Sequence, residues 1–172
     1  MAKIIYKEGF EGQNELECIE GIEIDLFTGY KVLVYPKYKE LPMLSAKKWR
    51  TFEFTEFQAL KVINSKILTD EFFEVGSPAA KFVRKFKSEK YGEFNLPTLL
   101  AAGEIAEQLK LIDALAEAIE GADLLRDYSD IWSCCCGPSN GAWFAMTYDS
   151  VFDNYDLCSE LTVVPVVIYK NE

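Results

Sequence analysis

The 172-residue sequence contains no histidine. Histidine is the commonest general base and metal ligand near neutral pH, so its absence excludes Ser-His-Asp and Cys-His catalytic pairs and most histidine-based metal sites. There is also no run of 18 apolar residues, which a membrane-spanning helix would require. The N-terminal segment is charged again at Lys7, so it has no apolar core of a secretory signal. We therefore expect a cytoplasmic location, or export by a route that the sequence does not show, and no membrane span.

Positive charge is also scarce. The chain has 28 acidic and 18 basic side chains, which gives a net charge of −10. Such a surface repels phosphate backbones unless basic residues are concentrated in one patch. The one basic cluster, at residues 81–90, has no aromatic interleaving suited to stacking on bases. We interpret the cluster as a solvated helix face and predict no nucleic-acid partner.

The five cysteines do not form a pattern typical of a disulfide framework or a metal site. They are Cys18, Cys134, Cys135, Cys136 and Cys158. An odd number without an export signal argues against a set of structural disulfides. The three adjacent cysteines lack the C-x-x-C spacing that brings two thiolates to one zinc ion. The sequence thus predicts no metal and no cofactor.

The composition predicts one domain, residues 1–172, with a substantial core, because 49% of the residues are hydrophobic and 14% are aromatic. Strands and the first helices are expected in residues 1–93. Apolar and alternating runs predict strands at residues 3–7, 22–26, 31–35 and 161–169. Pro165 interrupts the last run and predicts a bulge or an edge position there.

Three segments have helical signals. Thr55 and Gln58 have capping-box spacing, and the apolar residues after them are expected on one helix face. Ser77 followed by Pro78 is typical of a helix start. The clearest helical period spans residues 99–120 and ends at a glycine. The glycine at position 103 leaves open two abutting helices.

Residues 127–169 differ from the rest of the chain, because they contain six acidic side chains and no lysine or arginine. Aliphatic residues are few between 133 and 160, while serine, glycine, asparagine, aspartate, tyrosine and cysteine are frequent. Trp132, Trp143 and Phe144 punctuate this region. Tyrosine with small polar residues is typical of binding loops, so we predict a loop-rich binding surface; a long connection without a partner is the alternative. The acids Asp149, Asp153 and Asp156 lack the spacing of a calcium-binding loop and are interpreted as solvated.

Four short motifs in order resemble a known family: Leu-Pro-Thr at 96–98, Ile-Trp-Ser at 131–133, Ala-Trp at 142–143 and Val-Pro-Val at 164–166. This order is similar to that in C-terminal domains of the collagen-like-adhesin and formylglycine-generating-enzyme type. The resemblance covers residues 94–170 and implies a C-type-lectin-like α+β fold. Such a fold has small antiparallel sheets, two or three helices and a loop-rich C-terminal region. It also implies that strand 3–7 pairs with residues 166–170. Val164 departs from the family pattern, which has arginine there.

Within this superfamily, the chain most resembles the variable proteins of diversity-generating retroelements, with which phages and bacteria vary a binding surface. The resemblance implies a non-enzymatic protein that recognises a macromolecular ligand, a protein or a glycan. It implies an outward surface from residues 133–140 and 144–158. The implied ligand-binding residues are Cys135, Cys136, Gly137, Pro138, Ser139, Asn140, Phe144, Thr147, Tyr148, Asp149, Phe152, Asn154, Asp156 and Cys158. The implied structural frame consists of Trp132, Ala142, Trp143 and Pro165.

Two other functions remain open at this point. One is a thiol or copper oxidase of the formylglycine-generating type, in which Cys134 to Cys136 would supply sulfur. The other is a structural or assembly subunit of a phage, which would favour a homo-oligomer. A phage or surface protein of this kind would reach the virion or cell surface without a signal peptide.

Overall fold

The computed structural model describes residues 1–26, 29–45, 53–148 and 151–172. Within these ranges the chain has three β-sheets and five α-helices, which confirms the predicted α+β class. The two or three helices implied by the resemblance are too few. The strands are β1 Ala2–Tyr6, β2 Ile19–Asp25, β3 Tyr30–Val34, β4 Lys39–Leu41, β5 Lys87–Ser88, β6 Gly92–Glu93, β7 Ile131–Gly137, β8 Gly141–Ala145, β9 Phe152–Asp156, β10 Leu161–Val163 and β11 Val166–Lys170. The helices are α1 Glu56–Ala59, α2 Lys66–Glu74, α3 Pro78–Val83, α4 Leu99–Glu107 and α5 Leu109–Ala116.

The first sheet is antiparallel and has the strand order β1-β2-β3-β11. Strands β2 and β3 form a hairpin, and Ile22 and Ile24 of β2 are fully buried. In this hairpin, β2 and β3 each use one edge to pair with the other. The remaining edge of β2 pairs with β1, and the remaining edge of β3 pairs with β11. The predicted pairing of the first strand with the last is therefore wrong, although both strands belong to one sheet.

The second sheet has the order β4-β10-β7-β8-β9 and contains most of the region predicted as loops. Strand β7 is buried along its whole length, and β8 and β9 continue the sheet. The prediction of a loop-rich region at 133–160 is wrong. The cysteine, serine and glycine residues of β7 form a strand here because neighbouring strands and helices cover them. Cysteine is among the most frequently buried residue types, and its small volume suits a strand enclosed by other elements.

The apolar run at 161–169 forms two strands that belong to different sheets. Strand β10 pairs with β4 and β7, and β11 pairs with β3. Pro165 lies between them, at the point where the chain passes from one sheet to the other. Its carbonyl accepts a hydrogen bond of 3.0 Å from the Tyr35 amide. Proline has no N–H to give to a strand ladder, which explains why the run is divided there.

The helix starts at Thr55 and Ser77 were predicted correctly, but the extent of the first helix was not. Thr55 and Gln58 form the capping box of α1, and the Ser77 hydroxyl accepts from the Ala80 amide at the start of α3. Helix α1 has only four residues, and α2 is a separate helix. The single apolar face expected after Thr55 is wrong, because its members Phe57, Ile63 and Ile67 are exposed and Leu60 is half-buried.

The period at 99–120 corresponds to α4 and α5, which meet at Gln108. The break does not fall at Gly103. That glycine instead allows close packing, because a Cβ atom there would lie 2.8 Å from two ring carbons of Phe152. The prediction that Gly121 ends the helical segment as its C′ residue is wrong, because α5 already ends at Ala116; Gly121 does adopt a positive φ of 89°, in the turn that follows. Helix α4 contacts both β7 and β8, and thereby supports the second sheet.

One buried carboxylate ties the first sheet together. Glu23 on β2 is 5% exposed and lies 2.9 Å from the ammonium of Lys31 and 3.5 Å from that of Lys3. It also accepts a hydrogen bond from the Tyr169 hydroxyl of β11. Burial raises the pKa of Glu23, but the hydrogen bonds from Tyr169 and Lys31 outweigh burial and hold the pKa below its ordinary value.

Replacing Glu23 with glutamine should lower the free energy of unfolding at pH 7 by about 1–3 kcal/mol, since it removes charge-assisted hydrogen bonds. A lowered folded-state pKa stabilises the fold above the unfolded-state value, roughly 4.3, and this stabilisation disappears as the pH falls through the folded-state pKa. The difference between wild type and variant should therefore shrink in acid. Urea denaturation followed by circular dichroism at several pH values measures it. Glu8→Gln, at an exposed position, is the control, and a difference that persists unchanged into acid contradicts the prediction.

Candidate functional site

Strand β9 forms the outer edge of the second sheet and presents polar side chains to solvent. Asp153 and Tyr155 are exposed on one side of the strand, and Tyr155 is 52% exposed. The Tyr155 ring packs edge-on against Phe144 of β8, with the ring centroids 6.1 Å apart. Phe152, Asn154 and Asp156 alternate with these residues and are half-buried. Strand β9 therefore presents polar side chains to solvent, and the aromatic ring of Phe144 supports it from below.

Strand β9, the turn that precedes β8 and the connection from β8 to β9 together form a surface that we call the β8–β9 surface. Tyr148, in the connection to β9, is 95% exposed, and Val151 in the same connection is 52% exposed. The turn before β8 lies at the other end of that strand, so the two groups are separated by about 14 Å. The β8–β9 surface consists of Pro138, Ser139, Asn140, Tyr148, Asp153, Asn154, Tyr155 and Asp156.

The structure divides the predicted ligand-binding residues into three groups. Pro138, Ser139 and Tyr148 are exposed. The half-buried group is Asn140, Thr147, Phe152, Asn154, Asp156 and Cys158. The buried group is Cys135, Cys136, Gly137 and Phe144. Asp149 lies outside the described residues.

The prediction that the buried group faces outward is wrong. Cys135 is fully buried, and Cys136 and Phe144 are each 4% exposed. The strand β7 that carries the cysteines pairs with β8 and β10 and contacts α2 and α4, so its side chains meet protein. Phe144 packs edge-on against Trp132 with the centroids 6.3 Å apart. These residues belong to the core beneath the β8–β9 surface.

The buried cysteine Cys134 has an environment that favours the protonated thiol. The Sγ atoms of Cys134 and Cys135 lie 3.9 Å apart. A hydrogen bond with Cys135, together with burial, raises the pKa of the Cys134 thiol well above its ordinary value. Reactive and metal-binding cysteines have lowered pKa values and accessible sulfur. The arrangement thus suits packing and disfavours thiolate chemistry.

Two tryptophans anchor the sheet beneath the surface. The indole N–H of the fully buried Trp132 donates to the carbonyl of Leu41 at 2.9 Å. The indole N–H of Trp143 donates to the carbonyl of Phe54 at 2.8 Å, and the Phe54 amide donates to Cys136 at 2.9 Å. The Trp132 indole thus joins β7 to β4 within the sheet, and the Trp143 indole fastens the sheet to the segment that precedes α1. Of the other predicted frame residues, Ala142 and Pro165 are buried.

The turn that joins β7 and β8 is tight. The Gly141 amide donates to the Pro138 carbonyl at 3.1 Å, and Ser139 and Asn140 have φ values of 58° and 56°. Positive φ at both central positions is the combination that mirror-image hairpin turns require. The turn therefore projects two small polar side chains at the end of the hairpin.

Asn154 lies across the glycines that flank this turn. Its Nδ2 donates to the Pro138 carbonyl at 3.0 Å. A Cβ atom on Gly141 would lie 2.5 Å from the Asn154 amide, and one on Gly137 would lie 1.9 Å from its Oδ1. The buried Oδ1 has no hydrogen-bond partner among the described residues. The side chain of Asn154 therefore fits only because both neighbours are glycine.

Asp153 and Tyr155 lie within the range 144–158 that was expected to face outward, but the sequence analysis did not name them as ligand-binding residues. The signal was present, because Phe152, Asn154 and Asp156 alternate with Asp153 and Tyr155 in the period of an edge strand. Interpreting the region as loops concealed this alternation.

Comparison with protein-family models, with curated proteins and with solved structures found no match to this chain. Within the part of the chain that the structure describes, no group of three or more acidic or cysteine side chains is arranged to hold a metal ion. None of the helices in those same ranges is long and apolar enough to cross a membrane.

Replacing Gly141 with alanine should destabilise the wild type by about 1–3 kcal/mol, because the new methyl group displaces Asn154 from the Pro138 carbonyl. The same replacement in an Asn154→Ala background should cost much less, since the clash is gone. Urea denaturation of the two single variants and the double variant measures the coupling. Additive free-energy changes would show that Asn154 does not rest on Gly141.

Proposed function

We propose that the chain is a non-enzymatic binding protein that presents the β8–β9 surface to a macromolecular ligand, a protein or a glycan. The observation that carries the proposal is the pairing of exposed tyrosines with a fixed support. Tyr148 is 95% exposed and Tyr155 is 52% exposed, and the Tyr155 ring packs on Phe144, which in turn packs on the fully buried and hydrogen-bonded Trp132. Exposed tyrosine on a rigid base offers a large contact area at low entropic cost.

The proposal includes a C-type-lectin-like arrangement of the chain. It is supported by the return of β11 to pair with β3, which brings the C-terminal segment back to the first third of the sequence. It is supported further by the inward positions of Trp132, Ala142 and Pro165, which the resemblance assigns to the frame. The separate sheet that carries the binding surface agrees with this arrangement.

We further propose that the surface is of the kind that diversity-generating retroelements vary in phages and bacteria. Replacing an exposed side chain usually changes stability little, whereas core replacements commonly cost about 1–5 kcal/mol. Ser139, Tyr148 and Tyr155 satisfy that condition, but Cys135 and Cys136 do not and are removed from the variable set.

This part of the proposal has a test in DNA. A near-copy of the coding segment for residues 132–169, differing chiefly at adenines and beside a reverse-transcriptase gene, is expected in the source genome. The differences should fall on codons of the exposed positions. Differences concentrated on the codons for the buried cysteines would contradict the proposal.

The environment of the cysteine thiols does not favour the alternative function, a thiol or copper oxidase. The pKa of Cys134 is raised, and Cys134 and Cys135 are enclosed by neighbouring elements. A thiol or copper oxidase needs accessible thiolate sulfur. Binding without chemistry is therefore the function that the site supports best.

Replacing Tyr148 or Tyr155 with alanine should weaken binding by roughly tenfold or more while changing the unfolding free energy by less than about 1 kcal/mol. The probe is a ligand selected on the purified chain from a glycan array or a displayed peptide library, and affinity is measured by biolayer interferometry. Phe144→Ala should instead cost about 3–5 kcal/mol of stability, since it removes a core ring.

Phe10→Ala is the matched control, because Phe10 is a 42% exposed aromatic that lies in the connection after β1. It should leave both affinity and stability unchanged. Equal loss of affinity in this control, or full affinity in both tyrosine variants, would show that the ligand binds elsewhere.

A further inference from the structure

Strand β9 is an open edge of the second sheet. It pairs with β8 on one side, and no further strand lies beyond it among the described residues. The Met146 amide donates to the Val151 carbonyl at 2.8 Å, and the Leu157 amide donates to the Asn140 carbonyl at 3.1 Å. Alternate residues of an antiparallel strand direct their backbone groups to the same neighbour. The odd-numbered residues of β9 therefore bond to β8, and the even-numbered residues point their backbone groups away from the sheet.

Two residues of this edge offer backbone groups to a further strand. The N–H and C=O of Phe152 and the C=O of Asn154 have no hydrogen-bond partner within the described residues. The Asn154 N–H donates to the adjacent carboxylate of Asp153 at 2.7 Å. The open stretch ends at Asp156, whose carbonyl accepts from the Ser159 amide at 2.9 Å. An edge with exposed backbone groups is a template on which an extended peptide can pair.

The edge carries negative charge. Asp153 is exposed and has no ion-pair partner in the described part of the chain. Asp156 and Glu160 follow it, and residues 127–169 contain no lysine or arginine. Like charges opposite each other across a strand pair are destabilising, whereas opposite charges are stabilising. A second copy of β9 is therefore disfavoured as the partner, and a basic segment is favoured.

The ring of Tyr155 adds a second attraction for a cation on the same face of the strand. Tyr155 lies two residues beyond Asp153, so both side chains project from one face. The ring is half exposed and packs edge-on on the buried Phe144, which holds it in place. A lysine or arginine side chain that pairs with the carboxylate can also lie over the face of a tyrosine ring.

We propose that β9 binds an extended polypeptide segment with lysine or arginine at alternate positions, which adds to the second sheet as a sixth, antiparallel strand. Its backbone bonds to Phe152 and Asn154, and its basic side chains lie beside Asp153 and Tyr155. The antiparallel orientation gives the more stable hydrogen-bond ladder. The inference rests on the proposed function and narrows its ligand to a basic segment of a protein.

The first test uses a capped hexapeptide of alternating lysine and valine, titrated into the ¹⁵N-labelled full chain at constant ionic strength. It should bind with a dissociation constant of about 0.1–1 mM, as expected for a short strand. Hydrogen exchange of the Phe152 amide should slow, because this amide enters a ladder. The peptide with glutamate in place of lysine should bind at least about tenfold more weakly. Equal binding of the two peptides, or no saturation, overturns the proposal.

N-methylated peptides test strand pairing separately from charge. In an antiparallel pair, residues opposite each other project to the same face and either both bond to the partner or both point away. Lysines opposite Asp153 and Tyr155 therefore leave the valine amides to bond with β9. N-methylation of the valines should abolish binding, and N-methylation of the lysines should change it by less than about twofold. Loss with the lysine set alone overturns the antiparallel orientation, and equal effects of both sets overturn strand addition.

Two variants at one position test the edge of the protein itself. Asn154→Ala and Asn154→Pro both remove the side chain, but only proline removes the outward N–H and fills the space of a partner strand. Proline is tolerated on an edge where its nitrogen faces solvent, so the thermal midpoints of the two variants should be similar. The proline variant should bind the lysine peptide at least about tenfold more weakly than the alanine variant. Equal affinities contradict the proposal.

A change of charge at the edge gives an independent check. Asp153→Asn should weaken binding of the lysine peptide by about threefold, because it removes one exposed charge. Glu74→Gln removes a charge from an exposed position at the end of α2 and should bind like the wild type. The same loss in both variants would show that the peptide responds only to net charge, and would overturn the assignment to β9.

The outcomes also separate this inference from the proposed function. A selected ligand that loses affinity in Tyr155→Ala, together with no binding of the lysine peptide, overturns strand addition and leaves the proposed function in place. A dimer of the chain that Asn154→Pro abolishes would show that a second copy occupies the edge, and would overturn the assignment to a basic segment. Full affinity of selected ligands for both tyrosine variants contradicts the proposed function itself.

Discussion

The hydrogen bond from the Trp132 indole to the Leu41 carbonyl is the contact on which the second sheet depends. Trp132 lies on β7 and Leu41 ends β4, and β10 lies between these strands. The indole therefore joins strands that are not neighbours and covers the three-residue strand between them. A buried carbonyl needs such a partner, and a buried indole N–H needs an acceptor, so each group satisfies the other. The edge strand β4 is positioned by this contact, in addition to its pairing with β10.

Small residues perform the complementary task in this sheet. Cysteine, serine and glycine in β7 leave room for α4 on the sheet, and Gly103 of α4 lets the helix approach the Phe152 ring closely. Large side chains are concentrated at Trp132 and Phe144, where they pack edge-on. Tight packing of this kind makes the support of the β8–β9 surface rigid, because a close-packed interior tolerates little change in volume.

The sequence was sufficient wherever a local signal determines the structure. The capping box at Thr55 and the Ser77-Pro78 start depend on the residues themselves, and both were predicted. The break at Gln108 was not, because no proline or glycine marks it. Strand β7 was missed because its residues have little strand propensity of their own and form a strand through the neighbours that cover them.

The candidate site shows the same division. Trp132 and Trp143 were expected to anchor the region, and both lie beneath the β8–β9 surface with hydrogen-bonded indoles. Which side chains face solvent could not be deduced, because burial of Cys135 and Phe144 depends on elements distant in sequence. Strand β11 pairs with β3 and not with the first strand, β1. This pairing likewise follows from the β2–β3 hairpin, which lies between β1 and β11 in the sheet.

The strand order of the second sheet has a geometric consequence. Four inter-strand steps separate β4 from β9, which amounts to about 19 Å across the sheet. In the proposed binding mode, a macromolecule docked along β9 leaves the β4 edge of the sheet uncovered. The buried strand β7 lies at the centre of the sheet, so it connects the proposed binding edge to an edge that this ligand does not touch.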